Sequence, residues 1–135
     1  MKKILCLVPL LAASAFGQPE ILAPLVCSGV TTSTTPITAT SQTLSAYVNS
    51  LKIVVSGGKT CTVSVATGLS TLYASTNAVG TLVIRPVVQN STNGTLVASF
   101  AKPALASDAI TVSAHTITDS GSATVTVTPI IERNP

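Results

Sequence analysis

The amino-acid sequence predicts an all-β protein, a small antiparallel β-sandwich that follows an N-terminal signal peptide. Runs with helical apolar spacing are nearly absent, whereas Thr, Ser and Val dominate the chain, and these residues suit a pleated, half-buried surface. Turn signals recur about every ten residues and divide the chain into six to eight short strands. The N-terminus has the three-part pattern of an export signal.

Residues 1–17 are predicted to form the signal peptide. Met1-Lys2-Lys3 precedes an apolar run from Ile4 to Ala13, and small residues follow in Ala15-Phe16-Gly17, so that cleavage would leave Gln18 first. The apolar run is shorter than the roughly 20 residues that a membrane span requires. We therefore expect a secreted or cell-surface protein without a membrane span after cleavage, with the periplasm as the alternative location.

The remaining residues, 18–135, are predicted to form a single domain. Loss of two lysines with the signal peptide leaves five basic and four acidic residues, a formal net charge of +1. The basic residues are scattered and are not interleaved with aromatic residues, so we expect no nucleic-acid partner. They are Lys52, Lys59, Arg85, Lys102 and Arg133.

Two cysteines remain in the mature chain, and we predict a disulfide between Cys27 and Cys61. An even pair in a chain that enters an oxidising compartment favours a bridge. A free pair or a metal site is the alternative, although two cysteines and the single His115 do not complete a tetrahedral zinc site. We expect no metal and no cofactor.

The first of three predicted hairpins extends from Leu51 to Val65 and consists of two alternating runs around Gly57-Gly58. A loop of three residues around Gly57-Gly58, ending in a glycine with positive φ, places the apolar residues of both runs on one inner face. Lys52 and Thr62 then face water. The inward residues are Leu51, Ile53, Cys61, Val63 and Val65.

The second predicted hairpin pairs residues 82–89 with residues 95–100 through a loop of five residues, Asn90 to Gly94. This loop lets Ile84 and Val88 face Leu96 and Phe100. Pro86 removes a ladder donor, so this strand is expected at a sheet edge. The loop also contains glycosylation sequons at Asn90 and Asn93.

The third predicted hairpin pairs residues 110–118 with residues 123–131 across Asp119 to Ser122. Its inner face contains Ile110, Val112 and Ala114 against Val125, Val127 and Ile131. Its outer face is rich in hydroxyl groups and contains Thr111, Ser113 and His115 opposite Thr126, Thr128 and Ile130.

Three other segments have weaker signals. Residues 18–43 include a Ser/Thr-rich stretch broken by Pro36, which fits either irregular strands or a flexible segment. Leu44, Tyr47, Val48 and Leu51 have helical spacing over two turns and indicate a short helix. Thr71 to Ala74 is predicted to form a further strand. The final Thr-Val-Thr strand resembles those of bacterial immunoglobulin-like surface modules, and this resemblance concerns the architecture alone.

No catalytic, cofactor-binding or metal-binding residues are predicted. His115 is expected to be solvated on a strand, and Asp108 and Asp119 are typical turn residues. The serines have no nucleophile-elbow pattern. We therefore expect a non-enzymatic extracellular binding or cell-surface structural module with an extracellular protein or surface partner. The alternatives are a subunit of an extracellular polymer such as a pilus, coat or sheath, a homo-oligomer, a small hydrolase using His115, and an ice-binding protein using its Thr-x-Thr arrays.

Overall fold

Strands are the only regular elements in the part of the chain that the computed structural model describes. The described residues are 18–32, 35–77, 79–87, 89–92, 95–98, 102–117 and 121–133. The predicted signal peptide lies outside them. The strands are β1 (Pro19–Ile21), β2 (Leu25–Val30), β3 (Ile37–Thr40), β4 (Leu44–Ser56), β5 (Cys61–Ala66), β6 (Thr71–Asn77), β7 (Gly80–Ile84), β8 (Gln89–Thr92), β9 (Thr95–Ala98), β10 (Ala104–Asp108), β11 (Thr111–Thr116) and β12 (Ala123–Arg133).

Two long strands, β4 and β12, form the centre of a six-stranded sheet. They pair antiparallel along most of their length, with Val125 opposite Val55 and Val127 opposite Ile53. β12 also pairs with β1 and β2, and β4 also pairs with β7 and β10. Each long strand is thus flanked by two short ones placed end to end along it.

A four-stranded sheet in the order β3-β11-β5-β6 faces the six-stranded sheet, and all of its pairs are antiparallel. On one side of the molecule β2 lies next to β3, so the two sheets approach each other there. β8 and β9 form a separate two-stranded ribbon. Two stacked antiparallel sheets confirm the all-β prediction and are consistent with a sandwich.

The core lies between the two sheets and is built from alternate residues of each strand. β5 and β11 alternate between buried and half-buried positions along their whole length, as does β12 from Ala123 to Glu132. This is the period-two pattern that the sequence displays. Most of the fully buried residues are aliphatic, and they include Val48, Leu51, Ile53, Val63, Val65, Val112, Val125, Val127 and Ile131.

The first and third predicted hairpins are wrong in their pairing but correct in their faces. β4 and β5 belong to different sheets, as do β11 and β12, so each pair of strands is joined from one sheet to the other, an arch and not a hairpin. Gly57 and Gly58 both have positive φ, at 97° and 75°, in the first of these arches. The inward residues that were predicted for both segments are buried nevertheless. An arch stacks the apolar faces of its two strands against each other across the core, whereas a hairpin places them side by side in one sheet. The same residues are buried in both arrangements.

The second predicted hairpin is wrong in its first strand, because Leu82 to Ile84 belong to β7 and pair with β4, and the strand that pairs with β9 is β8. Gln89 pairs with Ala98 and Thr92 with Thr95, so that only residues 93–94 lie between the strands. The five-residue loop is therefore wrong. β7 pairs with β4 at the edge of the six-stranded sheet, and the buried Pro86 follows its end, in agreement with the expected edge position.

The N-terminal part of the domain is more regular than its composition indicates. β1, β2 and β3 occupy much of residues 18–43, which favours the strand interpretation of that segment. The predicted helix around Leu44 to Leu51 is wrong, because these residues begin β4. A register shift in the β4–β12 pairing near Ser50 explains the misleading spacing, since it lets both Val48 and Leu51 point into the core. The predicted strand at Thr71 is confirmed as β6.

Candidate functional site

The outer side of the four-stranded sheet is covered by short hydroxyl side chains. Across the sheet, Thr40 lies opposite Thr111, and Thr38 lies opposite Ser113, which in turn lies opposite Ser64. Neighbouring strands are about 4.8 Å apart, so the four strands form a surface about 14 Å wide. We call this surface the hydroxyl face. Its residues are Thr38, Thr40, Thr62, Ser64, Ala66, Thr71, Ala74, Thr76, Thr111, Ser113 and His115.

Some of these hydroxyl groups bond to each other across strands. The Oγ1 atoms of Thr40 and Thr111 are 3.2 Å apart, and those of Thr62 and Thr76 are 3.5 Å apart. The face contains no Asp, Glu, Lys or Arg among its residues. Hydroxyl groups both donate and accept hydrogen bonds, so the face offers neutral, adaptable polar contacts to a surface laid against it.

His115 lies on the hydroxyl face near one end of β11, half-buried and opposite Thr62 of β5. This is the strand position among hydroxyls that the alternation predicted. Asp108, by contrast, precedes β11, about 20 Å away along the strand direction. These two residues therefore do not meet in one site.

Asp108 stabilises a turn, as the sequence predicted. One carboxylate oxygen accepts a hydrogen bond from the backbone N–H of Gly68 at 2.8 Å, and the other accepts one from the N–H of Ala109, also at 2.8 Å. Gly68 belongs to the tight connection between β5 and β6, in which the N–H of Thr67 donates to the carbonyl of Ser70. The carboxylate thus ties this hairpin to the start of β11.

Charged groups gather at one end of the six-stranded sheet, where they form structural pairs. The ammonium group of Lys102 lies 2.7 Å from Glu132, whose carboxylate also accepts a hydrogen bond from Asn49 at 3.0 Å. The guanidinium group of Arg133 donates two hydrogen bonds to Glu20, at 2.5 and 3.0 Å. These bonds lower the pKa of the Glu20 carboxyl below its ordinary value and raise the pKa of Arg133.

The predicted disulfide is not formed in the structure, in which Cys27 and Cys61 are both free and fully buried. The sulfur of Cys27 in β2 lies 4.0 Å from the carbonyl oxygen of Val112, whereas Cys61 in β5 pairs with Thr116. Val112 and Thr116 are four residues apart on β11, or about 13 Å. The two thiols therefore occupy different levels of the core, and burial raises the pKa of both.

A groove of about 710 Å³ opens on the side of the sandwich opposite to the contact between β2 and β3. It lies between β6 of one sheet and the segment that follows β7 of the other. Its lining includes the apolar residues Leu72, Ile84 and Pro103, together with Tyr73. The hydroxyl of Tyr73 donates a hydrogen bond to the amide oxygen of Asn77 at 2.5 Å. These two residues lie four positions apart on one side of β6, and no pattern in the sequence predicted their contact.

Other predicted features fall partly outside the described residues. Asn93 of the predicted glycosylation sequons and Asp119 of the predicted third turn lie outside the described residues. Among the residues that the structure does describe, no three His, Cys, Asp or Glu side chains gather in a way that could hold a metal ion. The same part of the chain contains no helix with the length and apolarity to cross a membrane.

Comparisons with protein-family models, with curated proteins and with solved structures found no match for this chain.

Proposed function

We propose that this protein is a secreted, non-enzymatic β-sandwich of immunoglobulin-like architecture that acts as an extracellular binding or cell-surface structural module. The observation that carries the proposal is the hydroxyl face. It is the outer side of a four-stranded sheet, it contains no Asp, Glu, Lys or Arg, and all of its side chains except that of His115 are short. Such a surface fits a broad, neutral, hydrogen-bonding partner better than a small charged ligand.

The placement of the ionisable groups supports the non-enzymatic part of the proposal. Asp108 uses both carboxylate oxygens to hold a turn, and Glu20 and Glu132 are engaged in ion pairs at the end of the other sheet. His115 lies among hydroxyl groups on the hydroxyl face. General acid–base chemistry needs groups within hydrogen-bonding reach of one another, and these groups are dispersed over the molecule.

The location outside the cytoplasm rests on the N-terminal sequence. The lysines, the apolar run and the small residues before Gln18 have the order that a signal peptidase substrate requires. The N-terminal residue of the protein recovered from the culture medium or the cell surface tests this part. A chain that begins at Gln18 supports export, whereas a chain that retains Met1 and stays in the cytoplasm contradicts it.

Binding through the hydroxyl face is tested by placing a charge at its centre. Ser113 lies between Thr38 and Ser64 in the middle of this face, so Ser113→Lys introduces a strongly hydrated ammonium group there. We expect the variant to lose most of its retention on washed cell envelopes of the source. The matched control is Thr126→Lys, at a half-buried position on the outer side of the six-stranded sheet, and it should be retained like the wild type.

Thermal melting of both variants shows whether they fold. Equal retention of two folded variants would contradict the role of the hydroxyl face.

A polymer subunit is the second candidate function, and it is favoured by strand edges that are unpaired in the described part of the chain. β6 and β3 end one sheet, and the short strands beside β4 and β12 end the other. Unpaired edges can accept a strand from another chain. The native mass of the protein separates the candidates, because a polymer gives a ladder of sizes and a discrete module gives one small species.

A further inference from the structure

β6 is an edge strand that differs from the other edges of the two stacked sheets. It ends the four-stranded sheet, and among the described residues it pairs only with β5, so the backbone N–H and C=O groups of its other edge have no strand partner there. Natural proteins protect such edges with short strands, proline, charge or bulges, because an open edge recruits another strand.

The other edges of the two stacked sheets each carry one of these protections. β1 has three residues and begins with Pro19, and β3 has four residues, follows Pro36 and contacts β2. The β2 and β10 pairings are both interrupted by a register shift. β7 has five residues and is followed directly by Arg85 and Pro86.

β6 is longer and less protected. It has seven residues, and its register to β5 is regular from Tyr73 to Asn77, with the only shift at its beginning. Ala74, Ser75 and Thr76 are exposed. The chain contains no Asp, Glu, Lys or Arg between Lys59 and Arg85, so two copies of this edge can approach each other without repulsion between like charges.

We propose that β6 pairs antiparallel with β6 of a second copy of this chain, around a two-fold axis at Ser75. The regular segment then pairs with itself: Ser75 lies opposite Ser75, Ala74 opposite Thr76, and Tyr73 opposite Asn77 of the second copy. These side chains are small or already hydrogen-bonded polar groups, and all are uncharged. An isologous contact of this kind uses one edge of each copy and stops at a dimer.

The pairing joins two four-stranded sheets into one sheet of eight strands. Residues that lie opposite each other in an antiparallel pair point to the same side of the sheet, so Ala74 and Thr76 of both copies share the outer side. The hydroxyl face of one copy therefore continues into that of the other. The dimer does not depend on the proposed binding function, because the experiment that tests it measures only the self-association of the chain.

Sedimentation equilibrium of the secreted chain tests the proposal across a range of concentrations up to hundreds of micromolar. We expect the wild type to reach twice the monomer mass. Ser75→Lys places two ammonium groups opposite each other at the axis and should weaken the dimer about tenfold or more. Thr38→Lys, at an exposed position of the opposite edge strand β3, is the matched control and should leave the dissociation constant unchanged.

A second variant keeps the test decisive if Ser75→Lys fails to fold. Ser75→Cys brings two thiols together at the axis and should give a covalent dimer on mild oxidation, whereas Thr38→Cys should not. A wild type that stays monomeric throughout the concentration range overturns the proposal. A dimer that neither Ser75 variant affects, or a ladder of larger species, overturns it as well.

Discussion

The two buried thiols are the residues whose chemistry depends most on the fold around them. Cys27 and Cys61 have no exposed surface, and burial raises the pKa of each thiol above its ordinary value. Because the thiolate is the reactive form, both effects protect the sulfur from alkylation. The reactivity of these cysteines therefore reports on opening of the core.

We expect iodoacetamide at pH 8 to label a folded chain of residues 18–135 at least about a hundredfold more slowly than the same chain in denaturant. Labelling of the folded chain must wait for the core to open. In denaturant without a reducing agent, mass spectrometry should show two adducts, one on Cys27 and one on Cys61. If denatured protein takes up no label until it is reduced, a disulfide joins the two residues after all.

The ion pair between Glu20 and Arg133 gives a prediction about pH. The hydrogen bonds from Arg133 lower the pKa of the folded Glu20 carboxyl below 4.5. A carboxyl with a lowered folded-state pKa contributes stability above its unfolded pKa, and this contribution is lost as the pH falls through the folded value. Both side chains are exposed to solvent, so the contribution to the whole fold is small.

An NMR titration of the Glu20 carboxyl carbon measures this effect directly. We expect its midpoint to lie below 4.5 in the wild type and to return toward 4.5 in Arg133→Gln. Lys102→Gln removes the neighbouring ion pair to Glu132 and serves as the control. A midpoint for Glu20 that does not move when Arg133 is replaced would show that the pair is not formed in solution.

At the scale of elements, the arch between β4 and β5 depends on one glycine more than on the other. Gly57 has a φ of 97°, and a Cβ atom there would lie 2.8 Å from the carbonyl oxygen of Ser122 and 3.0 Å from the Cα of Ala123. Gly58 also has a positive φ, 75°, but a Cβ atom there would meet open space. Both positions disfavour L-residues, and only the first also involves a backbone collision.

We expect Gly57→Ala to lower the free energy of unfolding by about 1–2 kcal/mol more than Gly58→Ala does, because it adds a clash to the same conformational strain. Urea denaturation of the two variants and the wild type gives the comparison. Equal losses would mean that the start of β12 does not pack against this arch.

The connections show which part of the fold the sequence can predict. Alternation of apolar and polar residues identifies the inward side of each strand, and Ile53, Val63 and Val125 are all buried as predicted. The same alternation does not distinguish a hairpin from an arch, because each places the apolar side against the core. The choice depends on long-range pairings such as that of β4 with β12, which no local pattern contains.

The hydroxyl face was predictable to the same extent. The sequence placed Thr111, Ser113 and His115 on an outer side, and the structure agrees. It paired them with residues of β12, however, whereas their true neighbours belong to β3 and β5. The face spans strands that are distant in the sequence, so its extent and its lack of charge depend on the topology.

At the scale of the whole molecule, the last strand is the one on which the fold depends most. β12 occupies the centre of the six-stranded sheet and pairs with β1 and β2 on one side and with β4 on the other. These pairings join the two ends of the described chain. Non-local pairing of this kind makes folding slow, because the entropy of loop closure is lost before the stabilising contacts form.

Removal of residues 122–135 should therefore leave the chain without a cooperative fold. Three of the removed residues are fully buried, Val125, Val127 and Ile131, and Ala123 is nearly so. Loss of their burial lowers the free energy of unfolding by about 5–9 kcal/mol. This loss is comparable to the whole stability of a typical domain. Removal of residues 18–22, which contain the short β1 and the exposed Ile21, is the control and should leave a cooperative transition at slightly lower urea concentration. Circular dichroism during urea denaturation distinguishes these results. A cooperative transition without β12 would mean that the four-stranded sheet and β4 suffice to form the core. The pairing of β12 with β1, β2 and β4 would then not be required for folding.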